Sequence, residues 1–121
     1  MLHATIHAAG DGGQWLPLDV TFEEAAAVLE TLPRMYFEPD GSFVWVAPAG
    51  EIAWQLDGQL QDRGDRLDHV EIKGTCAPAA CQQLLAALRG KARGLVFQLV
   101  EQAVFVDEAA ALVLLRPATT S

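Results

Sequence analysis

The most regular pattern in the chain runs from Ile52 to Thr75, IAWQLDGQLQDRGDRLDHVEIKGT. Trp54, Leu56 and Leu60 fall on one parity and Gln55, Asp57, Gln59 and Gln61 on the other, the period-2 signature of a strand with one dry and one wet face. Val70 and Ile72 set against His69, Glu71 and Lys73 repeat it, so the stretch predicts one long hairpin. A three-residue loop, Asp62-Arg63-Gly64, with Gly64 left-handed in a G1 bulge, pairs Gln61 with Asp65, Leu56 with Val70 and Trp54 with Ile72. A two-residue Arg63-Gly64 loop would instead set Val70 against Asp57 on the wrong face. The three-residue register strands Leu67 opposite Gln59 on the wet side, and a bulge near Asp68 is the expected repair.

The remaining elements pack around this hairpin. Leu2, Ala4 and Ile6 alternate with His3, Thr5 and His7, a first strand with its imidazoles on the wet face; Gly10 to Gly13 turns the chain into a short edge strand at Trp15 to Leu18, limited by Pro17. Thr21-Phe22-Glu23-Glu24 is a capping box opening a helix to about Leu32, with Phe22, Ala25, Val28, Leu29 and Leu32 as its apolar stripe and Glu23 and Glu30 facing water. Met35 to Glu38 and Ser42 to Ala47 form a second hairpin around Glu38-Pro39-Asp40-Gly41. Pro78 starts a second helix, with Cys81, Leu84, Leu85 and Leu88 inward, that ends near Gly90. Leu95 to Leu99 and Ala103 to Val106 read as a third hairpin, Asp107 as the cap of a last helix through Leu115, and about 117–121 as a frayed tail.

A shift of 60 residues superimposes Ala27 on Ala87, Phe37 on Phe97, Val44 on Val104 and Val46 on Val106, so a helix followed by a hairpin recurs in both halves. This favours a hairpin over a continuing helix at Gln98 to Val106. The expected fold is a single α+β domain over residues 1–121. Its antiparallel sheet is built from hairpins and covered on one face by the helices at 21–32 and 78–89, with a short C-terminal helix beyond.

Composition narrows the function classes. A chain of 121 residues, 51% hydrophobic, can bury a core without disulfides or metals. No apolar run approaches the ~18 residues of a membrane span, and the N-terminus has no secretory pattern, which makes a cytoplasmic location the expectation. Cys76 and Cys81, if both lie on the second helix, stand about 140° apart around its axis and are expected to be free thiols. Residues 1–60 carry nine acids against Arg34 alone, whereas residues 61–121 carry seven charges of each sign, so the whole net charge of −8 lies in the first half. That balance argues against nucleic acid and for a basic protein partner.

No metal, cofactor or nucleotide signature stands out; the glycine-rich turn at 10–13 is not followed at once by a helix, and the C-x4-C pair lacks companion ligands. In the predicted register Asp57 and His69 oppose each other on the wet face, with Gln55 beside Glu71. Those four residues, together with Glu23 and Glu30, are the candidate binding residues; no residue is assigned a catalytic role. The order of helix, antiparallel strands, helix, hairpin and helix over residues 21–115 resembles class I type III secretion chaperones, which implies a homodimer wrapping an extended client. In size and acidity the chain is similar to toxin-neutralising immunity proteins. The reading that follows is a small acidic non-catalytic binding module, chaperone-like or inhibitor-like, engaging a protein. The alternative is a small enzyme or ligand binder using the polar sheet face around Asp57 and His69.

Overall fold

The computed structural model describes residues 1–117, and from residue 118 the expected tail lies outside the described residues. Eight strands form one antiparallel sheet: β1 Leu2–Ala9, β2 Trp15–Leu16, β3 Met35–Phe37, β4 Ser42–Val46, β5 Gln55–Arg63, β6 Arg66–Gly74, β7 Leu95–Leu99 and β8 Phe105–Asp107. Their order is β3-β4-β5-β6-β1-β7-β8, with β2 pairing the end of β1. The three helices are α1 Phe22–Leu29, α2 Pro78–Arg89 and α3 Glu108–Leu115. The repeat has a counterpart in this order: α1 leads into the β3–β4 hairpin at one edge of the sheet and α2 into the β7–β8 hairpin at the other.

The alternation of each strand decides which face is dry. Leu2, Ala4, Ile6 and Ala8 of β1, Phe43 and Trp45 of β4, Leu56 and Leu60 of β5, Val70 and Ile72 of β6 and Leu95 and Phe97 of β7 are all buried in one cluster. Ala25 and Leu29 of α1, Cys81, Leu84, Leu85 and Leu88 of α2 and Ala111 and Leu115 of α3 belong to the same cluster, so the helices pack over the dry face. The capping box forms as the sequence predicts: the Glu24 amide donates to Thr21 Oγ1 at 3.1 Å and the Thr21 amide to Glu24 Oε1 at 2.9 Å. Asp107 caps α3 by accepting from the Ala110 amide at 2.9 Å. Trp45 Nε1 donates to the Pro33 carbonyl at 2.9 Å, tying the segment between α1 and β3 to the sheet.

The central hairpin corrects the predicted register. The loop is Gly64-Asp65, with Arg63 opposite Arg66 and Gly64 at a φ of 65°, a turn that favours glycine in its first position. Beyond it Asp62 pairs with Leu67 and Gln61 with His69, which leaves Asp68 as the extra residue of a bulge. The bulge was expected, and it carries Leu67 to the dry side, where it is fully buried. The faces survive while the partners change: Leu60 lies opposite Val70, Gly58 opposite Ile72 and Leu56 opposite Gly74. A shift by an even number of positions preserves parity, which is why the alternation alone could not choose between these registers.

Smaller expectations also change: β2 stops at Leu16 instead of Leu18, and β8 runs Phe105–Asp107 instead of Ala103 to Val106. β5 begins at Gln55, leaving Ile52 outside the strand and 58% exposed, although Trp54 is buried. α1 ends at Leu29, with Val28 exposed on its outer side. Cys76 precedes α2 instead of lying on it; both thiols are free and buried, and Cys81 Sγ donates to the Cys76 carbonyl at 3.4 Å.

Candidate functional site: the uncovered sheet face

The other face of the sheet carries the polar parity, and residues opposed across antiparallel strands share a face. Three central cross-strand rows lie between the Val46–Gln55 pair at one end and the Arg63–Arg66 pair at the other. Tyr36, Val44, Asp57, Lys73 and His3 form the first; Ser42, Gln59, Glu71, Thr5, Gln98 and Phe105 the second; Gln61 with His69, and His7 with Val96 and Asp107, the third. The carboxylates on or beside these rows are Asp57, Asp68, Glu71 and Asp107; the cations of the same parity are Lys73 and the opposed Arg63 and Arg66, of which Arg66 is paired with Asp19.

An aromatic cluster gathers around His7 and His69 of the third row. His7 is 5% exposed, and its ring stacks on His69 with centroids 5.4 Å apart. Trp15, brought in by β2 opposite Ala9, lies 4.8 Å from the His7 ring, and Phe105 of β8 lies 6.0 Å from Trp15 in a near-parallel arrangement. These two outer rings remain 52% and 44% exposed. Thr5 Oγ1 and His7 Nε2 share a hydrogen bond of 2.8 Å, and Asp68 Oδ2 lies 2.7 Å from His69 Nδ1. Burial, with the neighbouring His69, holds His7 below the ordinary histidine value, while Asp68 pulls the other way.

A second feature of this face is a depression of about 250 Å³ whose rim includes His3, Asp57, Gln59, Glu71 and Lys73. His3 Nε2 and Glu71 Oε2 pair across it at 2.7 Å.

The structure separates residues the predicted register had joined. Asp57 faces Lys73, His69 faces Gln61, and Gln55 faces Val46, its amide donating to Asp57 Oδ1 at 2.9 Å. The opposition of Asp57 and His69 is therefore corrected, as is the pairing of Gln55 with Glu71, which faces Gln59. Glu23 on α1 and Glu30 at its C-cap stand exposed, in the helical layer on the opposite side of the sheet. Among the described residues no group of three His, Cys, Asp or Glu side chains is arranged to hold a metal ion.

No family model, curated protein or solved structure matches this chain. Its chemistry therefore rests on its own geometry. No helix among the described residues is long and apolar enough to cross a membrane.

The fold also redistributes the charge. Asp11 pairs with Arg93 at 2.7 Å and Asp19 with Arg66 at 2.9 Å, while the Lys91 amide donates to Asp19 Oδ2 at 3.1 Å. The Arg66 hydrogen bond and then the Lys91 amide hold the Asp19 carboxyl below the usual range. Two first-half acids are thus matched by second-half cations. Among the described residues Glu23, Glu30, Glu38, Glu51 and Asp57 form no ion pair.

Trp15 and Phe105 were missing from the sequence candidates. Their alternation placed each on a short strand, but neither pattern says that β2 and β8 flank the same end of β1. His7 was visible as a wet-face imidazole; its burial follows from those two rings.

Proposed function

We propose that the protein is a non-catalytic binding module that engages a basic protein partner through the uncovered face of its sheet. One observation carries this reading: Trp15 and Phe105 stand about half exposed, packed on each other and on the His7 ring, which in turn stacks on His69, on a face that the helices leave open. Rigid aromatic anchors beside partly buried polar groups are the usual energetic centres of protein interfaces. The sign of the partner follows from the −8 net charge and from the carboxylates along the sheet face, which favour encounter with a positively charged surface. In this reading Glu23 and Glu30 steer the partner from a distance, whereas Gln55, Asp57, His69 and Glu71 lie within or beside the contact.

Affinity purification from the protein's own cells tests it when three forms are compared: wild type, Trp15→Ala/Phe105→Ala and Glu23→Lys/Glu30→Lys. A basic partner retained by wild type, lost by the aromatic double variant and kept by the charge variant with slower association and a flatter salt dependence is the expected result. Retention of the same partner by a folded Trp15→Ala/Phe105→Ala protein would contradict the reading.

A further inference from the structure

We infer that the stacked His7 and His69 rings form a proton-controlled seat for an arginine or lysine side chain of the partner, closed to it when the imidazoles are protonated. This rests on the reading above and adds both the group that is recognised and the condition under which it is released. Trp15 and Phe105 present open aromatic faces, and a guanidinium or ammonium placed over such a face is held by the ring quadrupole. The seat lies in an acidic surround, with Asp68 next to both imidazoles.

The elements around His7 supply few competing charges. From β6 come Asp68, His69 and Glu71, the last engaged by His3; from β8 comes Asp107, whose carboxylate caps α3; β7 offers Val96 and Gln98, and β2 offers Trp15. His69, whose ring stacks on His7, is therefore the second imidazole of this set. Each proton taken up places a positive charge against the floor of a seat that needs a negative or neutral one. The proton on His69 also cancels the Asp68 carboxylate beside it. Linkage requires the converse: a bound cation makes both imidazoles harder to protonate.

The probe is a 12-residue arginine–glycine repeat peptide, with its citrulline–glycine isostere as the neutral control. Affinity is measured from about pH 7.5 to 5.5 at constant ionic strength, on the whole chain. The arginine peptide should bind wild type at the higher pH and weaken by about tenfold or more at the lower. The His7→Phe/His69→Phe variant keeps two rings but loses both protonation sites, and its ratio of affinities at the two pH values should fall close to one; His69→Phe alone should give an intermediate ratio if the double variant does not fold. His3→Gln, which removes the remaining histidine of this face, should preserve the wild-type ratio. In a histidine proton-resonance titration, saturating arginine peptide should move the His7 and His69 midpoints to lower pH and leave His3 in place. Binding at about pH 7.5 with a flat profile, or a profile unchanged in the imidazole variants, overturns the proton control while leaving the binding face intact. Equal binding of the citrulline peptide overturns the cation seat, and absence of binding at every pH overturns both.

Discussion

The Phe43 ring lies directly over Gly58 on the neighbouring strand. The two are opposed in the β4–β5 register, and a Cβ added to Gly58 would come within 2.0 Å of Phe43 Cζ. Gly58 therefore sits between Leu56 and Leu60 because the ring occupies the volume a side chain would fill. Gly58→Ala should destabilise by about 1–3 kcal/mol through overpacking alone. In Phe43→Ala/Gly58→Ala the second change should cost much less than it does in the wild-type background. A urea-denaturation cycle over the four proteins checks this, and additive effects would mean that the ring does not rest on the glycine.

The dry face assigned to the central hairpin makes a separate prediction. Leu56 and Ile72 are fully buried in the main cluster, so truncating either to Ala should cost about 2–5 kcal/mol. A loss below about 1 kcal/mol for either, measured by reversible denaturant titration, would place it outside the core.

His7 gives a stability that depends on pH. Its folded-state pKa lies below the ordinary 6.5, so the unfolded chain binds the proton more readily. Its contribution is accordingly complete above pH 6.5 and is lost as the pH falls from there toward the lowered folded value. The urea midpoint of wild type should fall more between about pH 7.5 and 5 than that of His7→Gln. Parallel curves for the two proteins would show that His7 titrates as a free histidine.

The cysteines are predicted to be present as two inert thiols. Both are buried, and the neighbouring Cys81 thiol together with burial pushes the Cys76 thiol far above its usual range. Alkylation of the native protein should be slow, whereas alkylation after non-reducing denaturation should add two labels by mass spectrometry. A protected pair would show a disulfide.

Much of the fold was legible because it depends on local periodicity and caps. The capping box at Thr21, the cap at Asp107, the hairpin at 95–107 and the bulge at Asp68 each follow from a few neighbouring residues. Pairings that depend on a shift of even length were not, since Leu60 opposite Val70 and Leu56 opposite Val70 bury the same faces. The site was the least legible part. His69, Asp57 and Glu71 were recognisable as wet-face groups, yet the cluster on that face joins His7 and His69 to Trp15 and Phe105, residues from four separate strands. Nothing in the spacing of β2 and β8 along the chain announces that they meet there.

Contact through the open sheet face can be read from the three tryptophan indole resonances. Trp15 stands exposed on the outer face, while Trp45 and Trp54 are buried in the core cluster. Titration with the arginine–glycine peptide at about pH 7.5 should shift the Trp15 indole N–H and the amides of His69 and Phe105. Trp45, Trp54 and the amides of α1 should stay in place. A peptide that binds while leaving Trp15 unmoved, or that shifts the amides around Glu23 and Glu30 instead, would contradict the account.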